Sequence, residues 1–439
     1  MQGLVRKSAS LLAREDGAMT AFGLIMFVVS CALGGIALDV SNSIRLRTHL
    51  QIAADSAAHA ALVARQTQGE AEAIDAALRM VHDALPSDLH GSVLLPEDIV
   101  FGIWDQATRA FTPSLGATDA VMVDTARMAA RGNGVRTFLL SFVGVDSFDV
   151  VRRSIANTYF PTCMLEGFVG DEYVAVTSGN TYTSGFCIHS NGYASLNNNN
   201  VYERGAIVSM PDRRDVVLPN GGWASNIGIE DALRDGYYEI DAAGRVGAML
   251  QTLASPGSPA YPEFLTSTDV VTLNWQDPID ATVWQTGRIH QVSCANGNQR
   301  VRVTNDTVLR EGVLITNCEI AFGSGTAVED VTVVTTSTSV DSITGAAGIR
   351  MGVDDNCAPG GGAQFFTLGG LRVPSGFKMY GSRVVAGGAV SFTADVGGID
   401  GVSVISDQHV EATAGGEVGF CGIEGLPDWA APRFYRIVY

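Results

Sequence analysis

The chain has 439 residues, a formal net charge of −18, only 17% charged residues and 50 glycines. That length supports two or three domains with real cores. Its acidity favours solubility, and with Lys7 and Lys378 as the only lysines there is no basic stripe to replace phosphate counterions, which speaks against nucleic acid as a partner.

Residues 1–16 read as a short cytoplasmic N-terminus. Gly17 to Leu38 then runs for twenty-two residues without a charge. At about 1.5 Å per helical residue this crosses a hydrocarbon core of roughly 30 Å. Arg6, Lys7 and Arg14 precede it, so the positive-inside rule keeps the N-terminus cytoplasmic and sends the rest to the far side. Gly35-Ile36-Ala37 has the small residues a signal peptidase needs, but the run exceeds the roughly 7 to 15 apolar residues of a cleaved signal. A single-pass membrane anchor is the expectation, with lipid as a partner. A pilin-type leader would carry Glu five residues after its Gly, whereas Phe22 stands there after Gly17.

Residues 39–85 read as extended amphipathic helices. No Gly or Pro interrupts the chain from Leu38 to Gln68, so the helix continues past the span. Leu46, Leu50, Ala53, Ala54, Ala57, Ala61 and Ala64 recur at three- and four-residue steps, a stripe narrow enough for close packing. Ser30 with Gly34, or Cys31 with Gly35, offers a similar small pair inside the span. The stripe packs either on the protein's own next domain, the slightly favoured reading, or on a partner helix, including one from a second copy. A second helix, Glu70 to Leu85, stops at Pro86.

Residues 86–160 read as a small α+β module. Strands are expected at Asp98–Trp104, Ala120–Ala126 and Phe148–Phe160, with a short apolar helix at Val135–Val143. At this point a resemblance becomes specific. Glu15-Asp-Gly-Ala18, Gly35-Ile-Ala-Leu-Asp39, Leu50-Gln-Ile-Ala-Ala-Asp-Ser-Ala-Ala58, Phe101-Gly-Ile-Trp-Asp105 and Val135-Arg-Thr-Phe-Leu139 together resemble the TadG-like pilus-assembly proteins of the tight-adherence (Tad) system. The resemblance covers roughly residues 10 to 160. It implies an inner-membrane protein with a periplasmic body, partnered by other pilus-assembly or secretion membrane proteins, and no catalytic residues.

From 161 to 439 short apolar runs alternate with turn residues, as in Gly205–Met210, Gly312–Asn317, Asp330–Thr335 and Gly388–Thr393. Spacings of 18 residues from Val313 to Val331 and 25 from Phe377 to Val402 suit the coils of a right-handed parallel β-solenoid, each stacked on the last. An antiparallel β-sandwich is the alternative. Asn197–Asn200 reads as a polar turn, or as part of a stacked Asn ladder. A helical insert near 229–260, with helices at Ile229–Asp235 and Ala243–Leu253, should pack on the solenoid's side.

Cys163, Cys187, Cys294, Cys318, Cys357 and Cys421 all lie beyond the span and show no C-x2-C spacing, which suggests disulfides in an oxidising compartment. Pairing by proximity gives Cys163–Cys187, Cys294–Cys318 and Cys357–Cys421, the first two separated by about one coil. Asp39-Val-Ser-Asn-Ser43 has the D-x-S-x-S spacing of a divalent-cation site, but it follows a membrane span instead of a buried strand, so Asp39 reads as the water interface. The seven histidines show no ligand pairs, and Gly360–Gly362 beside Asp354–Asn356 reads as a turn next to Cys357. No metal, cofactor or catalytic motif is expected. The leading function is a non-catalytic structural part of a Tad (Flp-type) pilus or related secretion machine. The alternative is a tethered solenoid that binds or cleaves polysaccharide, for which Asp341, Asp354, Asp355, Asp395 and Asp400 are the candidate carboxylates.

Overall fold

A computed structural model describes residues 18–66, 68–257, 261–296, 299–422 and 434–439. The basic flank Arg6, Lys7 and Arg14 lies outside them. Two compact units divide the chain, residues 1–159 with 433–439, and residues 160–432.

In the first unit a 48-residue helix, Ala18–Arg65, and a second helix, Glu70–Ala84, accompany an antiparallel sheet. The long helix stops at Arg65, short of the expected Gln68, where the last turn tightens and Gln66 N donates to Val63 O. The strands are β1 (Ile99–Asp105), β2 (Ala110–Pro113), β3 (Ala120–Arg127), β4 (Val135–Arg136), β5 (Ser147–Phe148) and β6 (Val150–Tyr159). Sheet order is β2-β1-β3-β6, and the C-terminal strand Phe434–Ile437 completes it by pairing with β6. The β-rich domain expected over 161–439 therefore gives up its last residues, because the free edge of β6 needs hydrogen-bond partners that this strand supplies.

The helix expected at Val135–Val143 does not form. Val135 and Arg136 pair with Phe148 and Ser147, and only Leu140–Val143 winds into a 3-10 turn. A tertiary contact, described below, takes up the backbone donors that an α-helical start would leave open.

The second unit is a parallel β-solenoid. All its strand pairings are parallel, which excludes the sandwich. Each coil carries up to three short strands, such as Gly167–Gly170, Tyr173–Val176 and Asn180–Tyr182, and so builds three ladders. The usual step is 19 or 20 residues, as in Val308↔Ala327 and Arg383↔Ser403, lengthened to 24 at Arg288↔Gly312 and 32 at Val331↔Ala363. Insertions at the corners cause the lengthening. The spacings of 18 and 25 read from apolar runs miss this step because they compare non-equivalent positions.

The coils do not stack in chain order. One ladder runs continuously from Val270–Leu273 through rungs beginning at Arg288, Gly312, Val331, Ala363, Arg383 and Ser403, then onto Gly167, Cys187, Ile207 and Leu233. The chain enters mid-solenoid at Gly167 and builds to one end at Leu233–Asp235. It then travels along the side and builds back from the other end until its last coil lies on its first. The helix Ala242–Leu253 makes the return journey against the strands Ala327–Thr335, Ala363–Thr367 and Arg383–Ala386. Asp407 caps it, accepting from Ala242 N at 2.7 Å and Ala243 N at 2.9 Å. The helix expected at Ile229–Asp235 shrinks to Ile229–Ala232, because Leu233–Asp235 is drawn onto Val208–Met210 as the terminal rung.

At the seam, Ser403–Ser406 pairs with Gly167–Gly170, His409 with Tyr173 and Gly416 with Asn180. One corner stays left-handed across it, through Asp306, Gly325, Gly348, Gly376, Gly397, Gly416, Gly179 and Asn199. Gly167 is required for another reason, since a Cβ there would lie 2.2 Å from the Cys187 carbonyl oxygen. Asn180, Asn200 and Asn226 form a buried ladder in which Asn200 Oδ1 accepts from Asn180 N and Asn226 Oδ1 accepts from Asn200 N, each at 3.0 Å. Of the Asn197–Asn200 run, only Asn200 belongs to this ladder. Glu166 is fully buried beside the seam and accepts from Cys421 N at 2.6 Å. Burial outweighs that bond and pushes its carboxyl up to about 7. The favourable protonated state is complete below the ordinary Glu range, and its contribution is lost as pH rises through about 7.

The disulfides join Cys163 to Cys187, Cys294 to Cys318 and Cys357 to Cys421, with Cα–Cα distances of 4.7, 5.5 and 5.5 Å. Only Cys294–Cys318 follows the coil step, which is 24 residues there. Cys163 sits in the turn Thr162–Leu165 before the first rung, and Cys357–Cys421 ties a corner insertion to the end of the last coil.

Phe168 and Val404 meet at the seam and are both fully buried. Replacing Phe168 with Ala should cost about 3 to 5 kcal/mol in denaturant unfolding, as much as Phe365→Ala in mid-solenoid. A cost below about 1 kcal/mol would mean that the first coil is an open end.

Candidate functional site

The long helix has two halves in different surroundings. Met19, Phe22, Phe27 and Leu33 are each more than 60% exposed, and most of the residues between Met19 and Leu38 are exposed as well, with Gly35 buried. From Asp39 on, one face turns inward. Leu46, Leu50, Ala53, Ala54, Ala57 and Ala61 are each no more than 8% exposed, and Ala64 is partly buried at the same surface. Their neighbours are the second helix, through Ala73, Ala77 and Val81, and strands β3 and β6. Small side chains let these backbones approach, and Thr125 Oγ1 donates to Leu50 O at 2.9 Å. The stripe is thus occupied by the chain's own first unit. Gln66 Nε2 extends the attachment to Thr118 O at 2.8 Å.

Within the apolar half of the helix the two small pairs differ. A Cβ at Gly34 would meet nothing within 4 Å, whereas one at Gly35 would lie 2.7 Å from the Leu139 Cβ. Gly34 keeps an open face and Gly35 does not.

Asp39 marks the change of surroundings, but it does not face water. It is 2% exposed, and its carboxylate accepts from the backbone N–H of Phe138, Leu139 and Leu140 at 2.7, 3.0 and 2.8 Å. This contact replaces the expected helix at Val135–Val143. It also uses the carboxylate of the D-x-S-x-S spacing, so the cation reading loses its first ligand.

Elsewhere, Cys357, Asp400 and Cys421 bring ligand-type atoms within 4.8 Å of one another, the one such group among the described residues. The two sulfurs are bonded together, which leaves no thiolate for a cation. Asp355 accepts from Ala358 N, and Gly361 N donates to Asp330, so the Gly360–Gly362 segment is held as a turn. Of the other candidate carboxylates, Asp341 pairs with Arg372 at 2.8 Å and Asp395 with Lys378 at 3.5 Å. His49 and His59 are exposed on the long helix, while His189 is buried and held down to about 4 by desolvation.

A family profile described as a domain of unknown function, DUF7867, matches residues 167–422, from the first solenoid strand to the end of the last coil. The chain belongs to the DUF7867 family. In this DUF7867 protein a second profile, described as putative Flp pilus-assembly TadE/G-like, matches residues 17–66, which is the long helix. That match supports the TadG-like resemblance over the helix and points to pilus assembly. No curated protein and no solved structure matches the chain.

Ala57→Glu puts a carboxylate into a fully buried seam and should cost about 3 to 5 kcal/mol in thermal unfolding of the full chain. Ile52→Glu, on the exposed side of the same helix, should change stability by less than about 0.5 kcal/mol. Equal effects would show that the stripe is not a packing face.

Proposed function

We propose that this protein is a membrane-anchored, non-catalytic component of a Tad (Flp-type) pilus or related secretion machine. The N-terminus is cytoplasmic, residues 17–38 cross the inner membrane, and the solenoid stands on the far side as a rigid body. The observation that carries this reading is the TadE/G-like match over residues 17–66, which spans both the apolar half of the helix and its packed half. Because the helix is unbroken from Ala18 to Arg65, a force on the membrane segment reaches the first unit without a hinge. Partners are other pilus-assembly or secretion membrane proteins, and lipid around the span.

The non-catalytic part of the reading draws support from the carboxylates. Two of the five candidates are engaged in ion pairs, one in a turn and one against a disulfide. Carboxyl-based glycoside hydrolysis needs a free pair at a set separation.

Deleting the gene in the source organism should abolish assembled pili in electron micrographs while pilin levels hold, and the full-length chain should restore them. Unchanged pili in the deletion strain would refute the assembly role.

A further inference from the structure

We propose that the loop Phe138–Val145 enters the same membrane leaflet from which the span emerges, as a second, shallow lipid contact beside the transmembrane helix. This rests on the reading of residues 17–38 as an anchor.

Thr137 to Val145 is a run of nine residues without a charge, bracketed by Arg136 and Asp146. The loop holds four apolar side chains outward, with Phe142 84% and Phe138 62% exposed and Leu139 and Val145 partly so. Four such residues together on a soluble face would form an unpartnered apolar patch.

The position of the loop identifies what covers it. Leu139 lies against Gly35, about one helical turn inside the uncharged run, and Asp39 holds the loop there through three N–H groups. The loop is therefore beside the end of the span. The exposed Arg45 and Arg47 follow about 9 to 12 Å further along the helix from Asp39, within reach of headgroup phosphates.

Seven of the nine backbone N–H groups from Thr137 to Val145 are paired within the protein, which lowers the cost of leaving water. Hydrocarbon offers no hydrogen bonds, so irregular backbone enters it more readily with its polar groups already paired. Besides the three donors held by Asp39, Thr137 N donates to Asp146 O, Phe142 N to Leu139 O, Gly144 N to Ser141 O and Val145 N to Leu140 O. Burial of Asp39 under these donors removes the carboxylate that would otherwise oppose insertion.

The test reconstitutes the full chain in nanodiscs of phosphatidylethanolamine and phosphatidylglycerol, with p-benzoylphenylalanine replacing one residue at a time. Phe27 reports on the span, and Phe142 reports on the loop. Leu115 is the control, since it is fully exposed and its neighbour Gly116 binds Arg65, about 39 Å along the helix from Asp39. After irradiation, mass spectrometry should find lipid adducts at Phe27 and Phe142, the latter at least about tenfold above Leu115. Adducts at Phe27 with only background at Phe142, or adducts at Phe142 to a second protein copy in place of lipid, would overturn the loop contact and leave the anchor standing. Background at Phe27 would overturn both.

Discussion

Parallel backbone pairing between the last coil and the first is the interaction on which the architecture depends. A solenoid that began at Gly167 and stacked outward would leave that coil's three strands with one unpaired edge. Here the strands at Ser403, His409 and Gly416 satisfy those edges. The closure also places the chain's exit next to its entry, with Glu166 reaching Cys421. Phe434–Ile437, after the last coil in sequence, pairs with β6 in the first unit. The family match from 167 to 422 covers this closed body.

The long helix obeys a different constraint, because one unbroken element must suit two surroundings. Its first half displays large apolar side chains, and its second half buries a stripe of alanines. Asp39 sits at the change, with its carboxylate fully taken up by backbone donors. A carboxylate at such a boundary is tolerated when charge-assisted hydrogen bonds replace its hydration. In the proposed membrane setting, this contact fixes where the span ends and the first unit begins.

Much of this was legible in the sequence. The uncharged run, the alanine stripe and the turn-punctuated apolar runs each follow from local periodicity, and parallel coils follow from short strands at a regular step. The order of the coils was not legible. Periodicity gives the distance between equivalent positions but not which coil lies on which, and corner insertions as long as the one after Met351 disguise even the distance. The proximity pairing of the cysteines coincides with the bridges in the structure, yet only Cys294–Cys318 does so for the reason of coil register. Val135–Val143 has helical composition, but Asp39, a hundred residues earlier, captures its backbone donors. Nothing local announces such a contact. In the same way Asn200 belongs to a ladder and Asn197 to Asn199 do not, because the ladder is set by Asn180 and Asn226 on neighbouring coils.

The proposed role requires that the helix carrying the TadE/G-like match works inside a membrane assembly. Affinity isolation of the tagged full chain from detergent-solubilised native membranes, quantified by mass spectrometry, tests this most directly. The chain should resist extraction from membranes by alkaline carbonate and co-enrich other membrane proteins of the pilus machine. Recovery in the soluble fraction, or in membranes without those proteins, would contradict it.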